Sequence, residues 1–492
     1  MRILYIDCDS LRPDHLGCYG YSRDTSPNID SLASEGRTFT NVYTSDAPCL
    51  PSRTAFYTGR FGIHTGVVNH GGRNADARRH GSPRRAKYPR QYKTLGSILK
   101  AEGFYTSMIS PFPARHDGWQ IVEGFRELHD TGGNGGERAD EVYPYARDWL
   151  TDHASDDDWY LHVNFWDPHT PYRTPAEYGN PFEDEPAPGW LTEELIDDHY
   201  RGAGPHTARD LKGWGGGWEY DRMPDEIDSR AAFERMTDGY DVGVSYMDRY
   251  VGKLLDVLRE QGVFEETLVV ISGDHGENLG ELNVYGDHQT ADEKTCNVPL
   301  ILHGPSVEPG TDDILHYQLD FAPTLVDLVG GDVPAGWDGR SFADAVTDGV
   351  ERGRDRLVLS QAAWTCQRGV RWDDWLLLRT YHDAYKSDLE EVMLFDLAED
   401  PHETTDLAAE RPDVVNRGLA ILQWWHDERR LETVRDENGG NPHAPGAFTD
   451  PLWNVLGEKG PYYTWDRLEE YVDHLAETGR QDHAEALAER LE

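Results

Sequence analysis

The sequence predicts an α/β protein with a large, mostly parallel sheet sandwiched by helices, followed by a smaller α+β unit. Short apolar segments typical of buried strands alternate with segments that carry a 3.6-residue apolar period. The 492 residues are 38% hydrophobic and include 15 Trp, which is ample material for a buried core. We expect the large unit over residues 1–350 and the smaller one over 351–492.

The first helix shows how the sequence marks the boundaries of its elements. Ser26 is a good N-cap, Pro27 suits the first turn, and Gly36 stops the helix. The same reasoning predicts strands at 3–7, 105–109, 159–166, 267–272 and 300–303, and helices at 94–102, 137–153 and 229–261. Ligands of such folds bind at the carboxyl ends of the strands, so the chemistry is expected there.

Two regions depart from this alternation. Residues 174–228 are rich in Pro, Glu and Asp and contain the run Gly-Trp-Gly-Gly-Gly-Trp at 213–218. A loop of this length in a compact protein is often functional, so we expect a lid or substrate loop. After residue 350 the pattern changes to short alternating segments such as 375–380. A final helix carries four apolar residues on one face: Leu468, Tyr471, Val472 and Leu475.

The overall charge is strongly acidic. The chain has 90 Asp and Glu against 47 Lys and Arg, which gives a formal charge of −43. This balance disfavours nucleic acid and anionic membranes as partners, because both require basic patches. Only 8 of the basic residues are Lys. An Asp-rich, Lys-poor surface resembles those of salt-loving archaea, so we expect a halophilic protein, with an ordinary acidic surface as the alternative.

Cysteine usage and the start of the chain bear on the cellular compartment. The five Cys residues are too scattered for a disulfide framework or a CxxC zinc site. The first ten residues lack a basic segment followed by an apolar core, and no run of 18 apolar residues occurs. We therefore expect no signal peptide, no membrane span and a cytoplasmic protein.

The most informative segment reads Cys-Leu-Pro-Ser-Arg from Cys49 to Arg53 and is followed by Thr-Gly-Arg at 58–60. Pro51 suits the first turn of a helix, and a helix N-terminus lowers the pKa of a thiol and attracts anions. A lone Cys is otherwise a small core residue. The whole pattern resembles the signature of the type I sulfatases, which belong to the alkaline phosphatase superfamily.

That resemblance implies a sulfatase-like fold and a specific chemistry at residue 49. It implies that a maturation enzyme oxidises Cys49 to Cα-formylglycine, and that the hydrated aldehyde attacks sulfur. It also implies that Arg53 holds the hydrate. His64, in the segment Gly-Ile-His-Thr-Gly-Val, is a candidate to orient it.

Carboxylates at the ends of two strands indicate a metal site. Asp9 follows the first strand, and Asp274 and His275 follow the strand at 267–272. Oxygen ligands suit a hard divalent cation. The run Ile-Ser-Gly-Asp-His-Gly-Glu resembles the second metal motif of the sulfatases. The resemblance makes Asp9, hydrated residue 49, Asp274 and His275 the ligands of Ca²⁺, with Mn²⁺ as the alternative.

The first strand departs from the family pattern. The family often has two adjacent Asp before Leu-Arg, whereas this chain has Asp9 and Ser10. Asp9 therefore takes the first ligand position, and the second carboxylate is missing. Asp7 lies two residues back on the same face of the strand and is a candidate replacement. Asp14 is expected to be a solvated surface carboxylate.

Two histidines are candidates for binding sulfate and moving protons. His169, in the segment Phe-Trp-Asp-Pro-His-Thr-Pro-Tyr, resembles an FxxxHxP element of the family. There the His binds sulfate and helps to protonate the leaving group. His288 lies where the family places an active-site Lys or His, and Lys294 is the weaker alternative.

A second departure follows the strand at 105–109. The family's usual Gly-Lys-Trp-His is absent, and Arg115 and His116 are the candidates to supply the missing cation and acid, although their spacing differs by several residues. Farther along, Leu-Phe-Asp-Leu at 394–397 and Asp-Pro-His-Glu at 400–403 resemble the C-terminal block of the family. The matching segments therefore span most of the chain.

Together these features predict a sulfatase that hydrolyses a sulfate monoester of a small molecule or carbohydrate. A phosphodiesterase or phosphonate monoester hydrolase of the same superfamily is the close alternative, because the metal ligands tolerate either anion. A non-catalytic anion- or carbohydrate-binding homologue is the third interpretation, which applies if Cys49 stays unmodified.

The charge leads to a prediction about salt. Like charges about 10 Å apart repel by about 0.4 kcal/mol in water, and the Debye length falls from about 10 Å at about 0.1 M salt to about 3 Å at about 1 M. We predict that Tm rises between these two KCl concentrations, because screening removes the repulsion. Calorimetry measures this, and a flat or falling Tm would contradict the halophilic expectation.

Overall fold

The computed structural model describes residues 1–77, 93–214, 221–435 and 449–491. Its strands are β1 (Arg2–Cys8), β2 (Arg37–Tyr43), β3 (Asp46–Ala47), β4 (Tyr105–Ile109), β5 (Glu127–His129), β6 (Trp159–Phe165), β7 (Thr267–Gly273), β8 (Asn278–Leu279), β9 (Tyr285–Asp287), β10 (Asn297–His303), β11 (Gly310–Asp312), β12 (His316–Tyr317), β13 (Arg356–Gln361), β14 (Cys366–Trp372), β15 (Trp375–His382) and β16 (Val392–Asp396). Its α-helices are α1 (Pro27–Glu35), α2 (Cys49–Thr58), α3 (Gly62–Thr65), α4 (Leu95–Ala101), α5 (Phe112–Arg115), α6 (Ala139–His153), α7 (Glu193–His199), α8 (Arg230–Glu260), α9 (Glu293–Cys296), α10 (Phe321–Leu328), α11 (Ala343–Asp348), α12 (Pro412–Arg435), α13 (Pro451–Gly457), α14 (Leu468–Glu477) and α15 (Gln481–Ala488).

The large sheet confirms the predicted fold class. Within the described ranges it has nine strands in the order β11-β2-β10-β7-β1-β6-β4-β5, and β12 also pairs with β2. β1 runs parallel to both of its neighbours, so that Ile6 lies beside Val163 of β6 and Ile271 of β7. β10 is antiparallel to β2 and β7. The sheet is therefore mixed but mostly parallel.

Both faces of this sheet are covered by helices because its central strands are apolar on both sides. Successive side chains of a strand point to opposite faces. Leu4 and Ile6 of β1 pack in the core that contains α1, α6 and α8. Ile3 and Tyr5 pack on the other face with α2, α4 and α10. The catalytic residues expected at the strand ends thus stand on a rigid, fully buried support.

The helices predicted for the large unit are present, whereas the 24-residue α12 was not predicted from the sequence. α4, α6 and α8 match the expected helices to within two residues at each end. α1 begins at Pro27 and has Gly36 as its C-cap, and α14 buries Tyr471 and Leu475. None of the helices in the parts of the chain that the structure describes is long and apolar enough to cross a membrane.

A second sheet has the strand order β16-β15-β14-β13-β3. Four of its strands come from the predicted C-terminal unit, and Val414, Leu422 and Trp425 of α12 pack into its core. β3, however, comes from the N-terminal part of the chain and pairs in parallel with Ser360 and Gln361 of β13. The division at residue 350 remains a prediction, because one strand of the smaller sheet precedes it in sequence.

The described part of the 174–228 insertion is packed against the large unit. It contains α7, and Phe182, Leu191 and Ile196 are buried. Farther along, Trp214 donates its indole N–H to the Tyr463 carbonyl at 3.1 Å. The rest of the Trp-Gly run, from 215 to 218, lies outside the described residues. The lid or substrate role of this insertion remains a prediction.

Candidate active site

Three of the predicted site residues follow neighbouring strands at one edge of the large sheet. Asp9 follows β1, His169 follows β6, and Asp274 follows β7 directly. These three strands are parallel neighbours, so their carboxyl ends lie at the same edge. All three residues lie in loops that directly follow strands of the sheet. The sequence predicts the chemistry at these strand ends.

α2 brings Cys49 to this edge from the other side. Cys49 is the first residue of the helix, is 3% exposed, and places its Sγ 3.0 Å from Nε2 of His275. One turn later, the Ser52 hydroxyl lies 2.6 Å from the Asp274 carbonyl and 3.1 Å from Oε1 of Gln318. Ser52 therefore ties the helix that carries the Cys to the end of β7.

Arg53 joins three buried carboxylates. Its Nε donates to Asp7 at 2.8 Å, its Nη2 donates to Asp9 at 3.0 Å, and its Nη1 donates to Asp274. The guanidinium also lies 4.3 Å from the centre of the Phe112 ring. Because Cys49 and Arg53 are four residues apart on one helix, they share a face. The C-x-P-S-R spacing thus sets the nucleophile beside a fixed cation.

Four side chains form a set that fits a divalent metal. One potential ligand atom from each of Asp9, Cys49, Asp274 and His275 lies within 4.8 Å of the other three, and all four residues are buried. Nδ1 of His275 lies 2.8 Å from the Gly276 carbonyl and donates to it. Nε2 therefore keeps its lone pair, as a metal ligand requires.

Ser10 and Asp7, at the end of β1, make different contacts in the site. Ser10, where the family often has a second Asp, adopts a positive φ of 61°, and its backbone N–H donates to Asp274 at 3.2 Å. Asp7 is held by Arg53 and lies 3.5 Å from Nε2 of His162. Asp7 lies in the same charge cluster but is absent from the four-residue metal set.

The electrostatics of this cluster favour an added positive charge. Burial, together with Asp9 and Asp7, raises the pKa of Asp274 well above its usual value, although Arg53 acts in the opposite direction. Burial also opposes ionisation of Asp9, but Arg53 and His169 hold the Asp9 pKa below its usual value. One guanidinium thus faces three carboxylates, and a divalent cation would compensate the remaining negative charge.

His169 and His288 lie beside the metal set. His169 places Nε2 3.9 Å from Oδ1 of Asp9, and the ring centres of His288 and His275 are 4.2 Å apart. With Cys49, these two histidines form a second group of ligand atoms within 4.8 Å of one another. Burial lowers the pKa of both His169 and His288 to about 3, so both are neutral at pH 7.

Arg115 and His116 approach the site from α5. The Arg115 guanidinium lies 4.8 Å from the Trp166 ring and donates to the Gly135 carbonyl at 3.0 Å. His116 stacks on Phe112 with ring centres 4.6 Å apart. Burial, together with the charges of Arg115 and Arg53, lowers the pKa of His116 to about 3. Both residues therefore lie next to the cluster, and their substrate-binding role remains a prediction.

His64 and Lys294 are not brought to the cluster, which corrects their expected proximity to substrate. Nδ1 of His64 lies 2.7 Å from Asp338, and its Nε2 lies 2.9 Å from the Arg429 carbonyl. With both ring nitrogens bonded there, His64 does not orient residue 49. Lys294 donates to Asp14 at 2.9 Å, so its ammonium is engaged outside the metal set. Of the two alternatives, His288 alone lies beside that set.

Gly276 and Glu277, the last two residues of the Asp-His-Gly-Glu motif, have structural roles. A Cβ at Gly276 would lie 2.0 Å from the Lys294 carbonyl oxygen, so the loop after His275 requires a glycine. Glu277 accepts hydrogen bonds from the Thr170 N–H at 3.2 Å and the Tyr172 hydroxyl at 2.6 Å. Glu277 thereby holds the loop that carries His169.

Sequence reasoning missed several residues near Cys49. His70 accepts the Leu50 N–H on Nε2 at 3.2 Å, and its Nδ1 lies 2.8 Å from the hydroxyl of Tyr463. His206, from the 174–228 insertion, places Nε2 3.0 Å from Asp287. These residues come from distant parts of the chain and lie in no motif, so the sequence contains no signal for them.

Comparison with known families identifies the family to which this chain belongs. The family model described as sulfatase matches residues 2–331. A second, described as N-sulphoglucosamine sulphohydrolase, C-terminal, matches residues 280–417. The chain belongs to the sulfatase family, and it is a sulfuric ester hydrolase.

Individual relatives span almost the whole chain. It is 26% identical to a choline-sulfatase of Rhizobium meliloti, with 90% of this chain and 88% of that protein covered. It is 24% identical to an N-acetylglucosamine-6-O-sulfatase of Bacteroides thetaiotaomicron, with 82% of each chain covered.

Solved structures show the same fold. One, in complex with its substrate D-glucosamine-2-N,6-O-disulfate, has a TM-score of 0.69 at 20% identity and covers 90% of this chain and 99% of its own. The phosphonate monoester hydrolase of Silicibacter pomeroyi has a TM-score of 0.65 at 18% identity and covers 90% and 96%.

The triple ion pair of Arg53 leads to a stability prediction. Arg53→Lys should lower the free energy of unfolding by about 3 kcal/mol, because an ammonium cannot donate to three buried carboxylates in the fork geometry of a guanidinium. Urea unfolding measures the change. Arg352→Lys is the matched control, since Arg352 is 63% exposed where it pairs with Asp344. Equal losses in the two variants would contradict this prediction.

Proposed function

We propose that this protein hydrolyses a sulfate monoester by using a formylglycine derived from Cys49. The observation that carries the proposal is the position of Cys49 at the start of α2, with its Sγ in the same 4.8 Å set as Asp9, Asp274 and His275. As a hydrated aldehyde, residue 49 has one hydroxyl to attack sulfur and a second whose deprotonation expels sulfate. An ordinary Ser would leave a stable sulfate ester on the protein, because it has no second hydroxyl to expel sulfate.

A divalent metal fits the donors that surround residue 49. Asp9, residue 49, Asp274 and His275 would hold it, and Ca²⁺ suits the hard oxygen donors, with Mn²⁺ as the alternative. Such an ion, when bound, supplies Lewis acidity toward the sulfate oxygens. The tautomer of His275, fixed by its bond to the Gly276 carbonyl, supports this assignment.

The surrounding side chains orient the reactants and move protons. Arg53 is fixed by three carboxylates and lies one turn from residue 49, where it can hold the hydrate. Nδ1 of His169 bonds the Thr170 carbonyl, so Nε2 faces Asp9 with a lone pair that can accept a proton. His288 and Arg115 complete the proposed sulfate-binding group.

The proposed substrate is a sulfated carbohydrate or small molecule. One relative and one solved structure support this substrate class. The relative is an N-acetylglucosamine-6-O-sulfatase, and the structure is a complex with D-glucosamine-2-N,6-O-disulfate. The same arguments require an enzyme that oxidises Cys49 as a transient partner. A halophilic character is proposed from composition alone, through the charge of −43. A cytoplasmic location is a separate proposal, which rests on the lack of a run of 18 apolar residues in the sequence.

A phosphonate monoester hydrolase is the second candidate. The serine at position 10 and the missing Gly-Lys-Trp-His leave the sulfatase pattern incomplete, and the Silicibacter pomeroyi enzyme has the same fold. Comparison of kcat/KM for an aryl sulfate, an aryl phosphate diester and an aryl phosphonate separates the two candidates. The sulfatase proposal requires the aryl sulfate to have the highest value.

The formylglycine proposal leads to a prediction about Cys49. The peptide that contains Cys49 should be about 18 Da lighter, as the free aldehyde, than its unmodified sequence. Cys49→Ala should lose at least about 99% of kcat, because the nucleophile is gone, and Cys49→Ser should accumulate a sulfo-ester that mass spectrometry detects. Cys18→Ala is the control. An unmodified peptide in an active enzyme would reject the mechanism.

The metal assignment leads to a second prediction. Asp274→Asn should lower the bound Ca²⁺ measured by elemental analysis and reduce kcat by at least about 100-fold, because a charged ligand is lost. A chelator should inactivate the wild type, and Ca²⁺ should restore it. Asp14→Asn is the control, because Asp14 is bound by Arg12 and Lys294 outside the metal set. Unchanged metal content in Asp274→Asn would show that the ion is placed wrongly.

A further inference from the structure

Tyr463 reaches the active site from a part of the chain that neither family model covers. The two matched regions end at residues 331 and 417, whereas Tyr463 lies in the segment 449–491. Its hydroxyl is 2.8 Å from Nδ1 of His70. His70 in turn contacts Leu50, the residue next to Cys49.

The contacts of His70 fix the direction of the Tyr463 proton. The Leu50 N–H donates to Nε2 of His70 at 3.2 Å, so this nitrogen carries a lone pair and the ring proton is on Nδ1. Nδ1 therefore donates to the Tyr463 oxygen. The phenolic proton points away from His70, and no acceptor for it occurs among the residues that the structure describes.

The ring of Tyr463 is held rigidly. It stacks on Trp364 with ring centres 4.6 Å apart and an interplanar angle of 20°. Its backbone N–H donates to the Ala363 carbonyl at 3.0 Å, and its carbonyl accepts the Trp214 indole N–H at 3.1 Å. A hydroxyl mounted in this way is a preorganised donor, since little side-chain freedom is lost when it binds.

Further side-chain contacts connect Tyr463 with the four-residue metal set. Trp364 meets His206 edge to face, with ring centres 5.3 Å apart, and Nε2 of His206 lies 3.0 Å from Asp287. The next residue, His288, packs against His275. A continuous series of contacts thus runs from Leu50 through Tyr463 to His275, whose Nε2 lies 3.0 Å from Sγ of Cys49.

The location of Tyr463 determines which part of a substrate it meets. The sulfate group belongs between residue 49, His169 and His288, next to the metal donors. The Tyr463 hydroxyl is separated from the start of α2 by the imidazole of His70, so it lies beside the sulfate position rather than within it. Burial raises the pKa of Tyr463, so the hydroxyl stays protonated.

We propose that Tyr463 is a specificity-determining residue whose hydroxyl donates a hydrogen bond to an oxygen of the organic part of the substrate. This assigns the substrate to sulfated polyols and sugars, whose hydroxyl and ring oxygens accept hydrogen bonds, rather than to unsubstituted aryl sulfates, whose rings carry no such oxygen. The inference rests on the proposed sulfatase function. A site built to bond a substrate hydroxyl discriminates strongly against analogues without one, because its own donor is then left unpaired.

The test compares two classes of substrate in one pair of variants. Tyr463→Phe removes the hydroxyl and keeps the ring on Trp364, and Tyr462→Phe is the matched control on the exposed neighbouring residue. The substrates are phenyl sulfate, whose ring carries no acceptor oxygen, and three monosaccharide sulfates: glucose 6-sulfate, galactose 6-sulfate and N-acetylglucosamine 6-sulfate. For each variant the ratio of kcat/KM for the sugar sulfate to that for the aryl sulfate is measured.

We expect Tyr463→Phe to lower this ratio by about tenfold for at least one sugar sulfate, through the loss of one hydrogen bond, and Tyr462→Phe to leave it unchanged. The aryl sulfate activity reports that the variant is folded. An unchanged ratio overturns the inference, as does a wild type that cleaves the aryl sulfate but none of the sugar sulfates. A wild type with Cys49 unconverted and no activity on either class instead rejects the proposed function itself.

Discussion

The site depends on the partial compensation of three buried carboxylates by one guanidinium. Asp7, Asp9 and Asp274 come from the ends of two adjacent parallel strands, where the sheet geometry forces them together. Without Arg53, burial of these charges would cost several kcal/mol per ion. The fork geometry of Arg53 reaches all three at once. Because Arg53 lies on α2, the same ion pairs set the position of Cys49.

Much of the fold and the metal donors could be predicted because their signals are local. Apolar strands, helix caps and the spacing within Cys49–Arg53 are read from neighbouring residues, and the sulfatase motifs placed Asp9, Asp274 and His275 together. His64 lies close to Cys49 in sequence, yet its bonds to Asp338 and the Arg429 carbonyl turn it elsewhere. Proximity to Cys49 in sequence therefore did not predict where the His64 side chain points.

The residues that sequence reasoning missed are those whose placement depends on long-range packing. His70 and Tyr463 are nearly four hundred residues apart and have no motif, and their contact follows only from the docking of the C-terminal segment. His206 reaches Asp287 because the 174–228 insertion packs into the core rather than remaining a free loop. Side chains that surround the organic part of a substrate generally lie on loops rather than on the sheet. Their positions therefore depend on how those loops pack, which a local sequence pattern does not reveal.

The pairing of β3 with β13 places a time limit on events at Cys49. Asp46 and Ala47 enter the smaller sheet only after Ser360 and Gln361 exist, which requires about three hundred further residues of synthesis. At about 5–20 residues per second, a ribosome needs roughly 15–60 s for this stretch. During that interval the segment around Cys49 lacks its final neighbours, whereas in the finished protein the thiol is 3% exposed. Any enzyme that oxidises it therefore has access mainly to the growing chain.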